Sequence, residues 1–184
     1  MKIRAHNLRG TQAAEIAEAA LVMPVVFIFM LGIIWFGRAF NIYSTITQAA
    51  QQGAITAARA TCATCGPPGS VWPGTNFPGD TLVVAAVTSV MQASNLDPNQ
   101  IKGVVGTLSP GCSLSSSNIV ICREVILNQT TNGQPQVCSA SSTTPQICGT
   151  TVSFQYPFQF YLPFTSLNLS SITLSAQAQS RMEN

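Results

Sequence analysis

The residues able to do chemistry in this chain are few: six cysteines, one histidine and a handful of carboxylates. Cys62-Ala-Thr-Cys65 has the spacing of a redox dithiol, whose chemistry wants a strand before it and a helix N-terminus beneath the first thiol. Here the pair follows a helix-forming stretch and precedes Gly66-Pro67-Pro68, the opposite context. A zinc site would need a second ligand pair, but there is no other Cys-x-x-Cys and His6 is the sole histidine, so no metal is expected. A structural disulfide at Cys62 and Cys65, closing locally or bridging onward, is the better reading. Cys112 with Cys122 and Cys138 with Cys148 would each close a Ser/Thr-rich loop, although six cysteines leave the connectivity open.

No catalytic constellation can be assembled. His6 lies in a basic leader; Asp80, Asp97 and Glu124 read as a helix cap, a turn and an exposed strand position. Gly103 and Gly106 do not form a phosphate loop, since no helix opening on Lys-Ser/Thr follows. The chain reads as a non-enzyme with no cofactor and no small-molecule substrate. A net charge of +2 with 8% charged residues gives no electrostatic case for nucleic acid. Phe154, Tyr156, Phe158 and Phe160 alternate at strand spacing, which favours core over a carbohydrate-binding surface.

The elements that would position these residues are organised around one stretch. Ala19 to Gly37 is nineteen consecutive residues without a charge. At ~1.5 Å per residue that is ~28 Å of helix, close to a bilayer core. Lys2, Arg4 and Arg9 precede it, while past residue 60 only three cationic and four anionic side chains remain. The positive-inside rule then keeps the N-terminus cytoplasmic and exports the rest. All six cysteines fall on the exported side, as an oxidising compartment would favour. No Ala-x-Ala cleavage site follows the apolar run, so the span is expected to be retained.

Four segments follow from this: a basic leader over 1–10, a helix over 11–61 containing the span 19–37, a Pro/Gly linker over 62–79, and a head over 80–184. Pro24 should kink the first helix. Ile42, Ile46, Ala49, Ala50, Gly53, Ala57 and Ala60 make a small-residue face for close contact with the chain's own head or with a neighbouring subunit. In the head, Asp80 should cap a helix presenting Val83, Val87, Val90, Met91 and Ser94. Strands are expected weakly over 101–108 and clearly over 119–127, 150–162 and 171–183, the last with Ile172, Leu174, Ala176 and Ala178 inward. Pro157 argues for an edge strand or a bulge. The fold class is α+β: a long N-terminal transmembrane helix, then a small disulfide-stapled head with one helix packed on an antiparallel sheet.

The N-terminal residues GTQAAEIAEAALVMP, followed by LGIIWFGRAFNIYSTITQAAQQGAITAARA, resemble the TadE-like proteins, pseudopilin-type components of the tight-adherence (Tad, or Flp) pilus system. The matches are Glu18, Ala20, Leu21, Val22 and Pro24, then Gly32, Ile33, Ile34, Phe36, Gly37 and Arg38, continued by Ala49, Ala50, Gly53 and Ala54. TVSFQYPFQFYLP and SITLSAQAQSRME are similar to the family's closing strands, and the cysteine-containing middle is unmatched. Trp35 stands where the family carries an acidic residue. The resemblance implies a prepilin-type peptidase cutting between Gly10 and Thr11, and a glutamate that pairs with the free amine of a neighbouring subunit. Glu15 meets the family's spacing from the glycine and Glu18 its spacing to the proline, so either could serve.

What the resemblance implies is a bacterial inner-membrane minor pilin or pseudopilin. It would work with other pilin-like subunits and the Tad assembly machinery, its head periplasmic or extracellular, or carried in a pilus. The alternative is an unprocessed, membrane-tethered extracytoplasmic binding or adhesion module. An exported thiol oxidoreductase using Cys62 and Cys65 is a distant third.

Overall fold

The computed structural model describes residues 8–59, 77–104, 108–131, 134–138, 146–159 and 172–181. The basic leader up to residue 7 lies outside them, as do the Pro/Gly stretch with Cys62 and Cys65, Ala60 and Phe160. The chain divides into two compact units, Met1–Phe40 and Asn41–Asn184.

Helix α1 spans Leu8–Ala58 and includes Pro24. From Glu15 to Phe40 none of its residues is buried and most are exposed, among them Leu21, Phe27, Ile28, Phe29, Ile33, Ile34 and Phe36. From Thr45 onward the same helix turns apolar side chains into a core. Ile46, Ala49, Ala50, Ala54 and Ala57 are at most 1% exposed and cluster with Val83, Val87 and Met91 and with strand residues. The small-residue face is thus filled by the chain's own head. Gly53 marks the closest approach: a Cβ there would lie 2.6 Å from Val87 Cγ2 and 3.3 Å from Val152 Cγ1. No larger residue fits between the helix above and the strand below without displacing one of them.

Helix α2 spans Asp80–Ala93 and buries Val83, Val87 and Met91, with Val84 and Val90 packed partly against the same core. Ser94 is its exposed C-cap and not part of the buried face. Asp97 caps a following 3₁₀ turn, Pro98–Gln100, by accepting from the Asn99 N–H.

Five antiparallel strands form one sheet: β1 (Cys112–Leu114), β2 (Val120–Thr131), β3 (Gln134–Val137), β4 (Cys148–Phe158) and β5 (Ile172–Arg181). β2 carries β4 along one edge, while β1 and β3 share the other, pairing with its beginning and its end. At the handover the Arg123 N–H donates to Gly111 O and the Cys138 N–H donates to Glu124 O. Glu124 adopts φ 56°, unusual for a residue with a Cβ, where the β2–β4 register shifts between Cys122 and Val125. The extra residue keeps Val125 and Leu127 in the small cluster with Val120 and Cys122 although the sequence parity changes between them.

Several expectations need correction. Among the described residues of 101–108, which leave out 105–107, only Lys102 makes a ladder contact, an isolated bridge to Gln155. β1 and β3 were not visible in the sequence pattern. Along β5, Ala176 and Ala178 are buried and Leu174 partly so, but Ile172 is 50% exposed. β4 is an interior strand, yet Pro157 obeys the rule behind the edge expectation. The Gln155 N–H donates to Lys102 O, on the side away from β5. Residue 157 points its nitrogen the same way, two positions on, where β2 no longer pairs; the missing N–H costs no ladder bond to β5.

Candidate membrane and assembly helix

The stretch that would act in a membrane is the first unit of α1. Among the described residues, α1 is the one helix long and apolar enough to cross a bilayer. A helix so apolar around its circumference, and exposed in the monomer, has a solvent other than water or a partner.

Its charged residues sit at the borders. Glu15 and Glu18 are exposed and three positions apart, hence neighbours on one helix face. Gly10 and Thr11 lie in the opening turns of α1, which begins at Leu8, and Pro24 is exposed within the helix. At the other border the Arg38 guanidinium lies over the Trp35 ring, 6.0 Å from its centroid. Spacing alone could have disclosed this pair, since residues three apart meet on a helix.

In the head, Cys112–Cys122 bridges two directly opposed residues of β1 and β2, and Cys138–Cys148 closes the connection from β3 to β4. Both nearest-neighbour pairings are therefore present; Cys62 and Cys65 lie outside the described residues. Asp80 does not cap α2 through its side chain: Gly79 is the N-cap and makes no side-chain cap bond. The Asp80 carboxylate is drawn instead to the sheet, where Arg123 Nη1 of β2 donates to Oδ1 at 2.6 Å and Ser113 Oγ of β1 donates to Oδ2 at 3.1 Å. Arg123 Nη2 also donates to Pro78 O at 2.9 Å. This cluster is a clamp between helix and sheet, and its three hydrogen bonds span 33 to 45 positions, beyond the reach of any local pattern.

Burial pushes the Tyr156 hydroxyl above its ordinary pKa, a rise that the Asp97 backbone hydrogen bond opposes and the Asp97 carboxylate adds to. Among the described residues no cluster of three or more His, Cys, Asp or Glu side chains could hold a metal ion.

Residues 13–54 match the family model described as TadE-like protein. The match covers the apolar run, both glutamates and the small-residue face as far as Gly53, so this N-terminal segment is similar to TadE-like proteins, as its residues suggested. No curated protein matches the chain, and no solved structure matches it.

Proposed function

We propose that the protein is a membrane-anchored TadE-like minor pilin or pseudopilin that acts in assembly of a Tad-type pilus. The observation that carries this reading is a TadE-like segment whose nineteen-residue uncharged run has no buried residue and is bordered on its N-terminal side by Glu15 and Glu18. The run 19–37 anchors the chain in the bacterial inner membrane. Residues 1–10 face the cytoplasm and the head faces the periplasm or the cell exterior, where its disulfides are stable.

The role is structural, not catalytic. A carboxylate at the border of an apolar helix is costly to bury alone. A protonated amine on an adjacent helix neutralises it and sets the stagger between subunits. Removal of residues 1–10 by a prepilin-type peptidase at Gly10–Thr11 creates such an amine. Its partners are other pilin-like subunits and the Tad assembly machinery. Since the face around Gly53 is occupied by the head's own core, subunit packing falls on α1 before Asn41. There Pro24 and the glycines at 32 and 37 leave room for close approach.

Replacing Glu15 and Glu18 together by Gln tests this directly. The expected outcome is a folded, membrane-inserted protein that no longer enters fibres. Normal fibres from the double variant contradict the charge-pairing role. A chain that adheres or binds an envelope polymer without ever being cut or assembled is instead a tethered binding module.

A further inference from the structure

The C-terminal end of the apolar run carries a group of side chains that the proposed charge pairing does not use. Arg38 is the one charge between Glu18 and Arg59. It is exposed and stacked over Trp35, and Phe36 and Phe40 beside it are 80% and 74% exposed. At about 100° per residue, Trp35, Phe36, Phe40 and Arg38 point at about 0°, 100°, 140° and 300° around the helix axis. A protein partner would need these anchors on one face, as helix-in-groove contacts do. Together they take in about 200° of the circumference, wider than the stripe one groove would cover, and the arc they leave open carries Gly37.

From these positions we infer that Trp35, Phe36, Arg38 and Phe40 form a lipid-headgroup girdle, with the Arg38 guanidinium bound to phospholipid phosphate in the leaflet on the C-terminal side of the span. Aromatic rings with a cation among them match the boundary where hydrocarbon meets headgroup. The guanidinium fork matches a phosphate, and the ring beneath it holds the fork in a weakly hydrated setting. Arg38 stands one residue past a run of ~28 Å, the depth at which headgroup phosphates begin. The pair thereby sets how far the helix sinks, and so fixes the level of Glu15 and Glu18 at the opposite border. This rests on the anchor part of the proposed function and is independent of pilus assembly.

The test uses the full chain with Trp72→Phe, which leaves Trp35 as the sole tryptophan. It is reconstituted at low protein-to-lipid ratio in phosphatidylcholine/phosphatidylglycerol vesicles carrying brominated acyl chains. Flotation reports insertion, and Trp35 quenching by shallow against deep bromines reports depth. The expected result is stronger shallow quenching, retained in Arg38→Lys and shifted towards the deep label in Arg38→Gln. Deep quenching in the parent, or the same depth in parent and Arg38→Gln, overturns the girdle while the anchor stands. Shallow quenching that appears only at high protein-to-lipid ratio overturns it in favour of a protein contact. A chain that does not float with the vesicles overturns both the girdle and the anchor.

Discussion

Arg123 in β2 donates from Nη1 to the carboxylate of Asp80 at the start of α2, at 2.6 Å, and thereby ties the helix to the sheet it covers. The guanidinium is the more buried partner, with 20% of its side chain exposed against 37% for Asp80. Removing either end strands a partly desolvated charge, and loss of Arg123 also releases Pro78 O. Solvent reaches both, which keeps the coupling well below that of a fully buried pair. A double-mutant cycle with Asp80→Ala and Arg123→Ala should give a coupling of about 1–2 kcal/mol. Thermal or urea unfolding of the solubilised chain measures it, and additive effects would mean that the clamp is idle.

The glycines separate the two halves of the molecule. Gly53→Ala puts a methyl group against Val87 and Val152 and should destabilise the head by about 1–3 kcal/mol. Gly149→Ala should be worse, because its Cβ would collide with the backbone oxygen of Ser180 in β5 as well as with Leu127. Gly32→Ala and Gly37→Ala meet nothing within 4 Å and should leave head unfolding unchanged. If they impair fibre formation, the lost property is packing between helices. Circular dichroism melts alongside fibre yields distinguish the two pairs.

The backbone of Glu124 makes a third prediction. Held at φ 56°, it sits where glycine loses nothing and a β-branched residue loses most. Glu124→Gly should therefore be neutral or stabilising by up to about 1 kcal/mol. Glu124→Val should be destabilising by about 1–2 kcal/mol. Urea unfolding under non-reducing conditions checks the order of the three.

Tyr156 gives the head an alkaline limit. Burial raises its pKa in the folded state above the value of about 10 expected of an unfolded chain. At a pH above the unfolded value the native state therefore holds the proton that the unfolded state has lost. Stability that is fully present below about pH 10 then falls as the pH rises beyond it. Tyr156→Phe should flatten that part of the pH–stability curve. An identical alkaline decline in parent and variant would assign it to another group.

The parts of the molecule legible in the sequence are those written as long, regular patterns. The uncharged run from Ala19, the alternation of Val152, Phe154 and Tyr156, and the β-branched start of β2 each repeat one physical period over many residues. β1 has three residues, and β3 contains Pro135, so neither carries enough period to be seen. The small-residue face was legible as a contact surface, but sequence could not say whose: Ala49, Ala50 and Gly53 look alike whether they meet Val87 of the same chain or a second helix. Asp80 has the residue type and position of a cap, and only the fold reveals Arg123 beside it. At the candidate site, Glu15 and Glu18 were named through the resemblance to TadE-like proteins, while the Trp35–Arg38 stack was hidden by reading Trp35 only as a departure from the family.

The central claim is an anchored, TadE-like subunit whose N-terminus is made by cleavage. It is tested most directly by intact mass and N-terminal sequencing of protein taken from native membranes under non-reducing conditions. The account predicts a chain that begins at Thr11 and places Glu15 fifth. A membrane-bound chain that still carries residues 1–10 would contradict it.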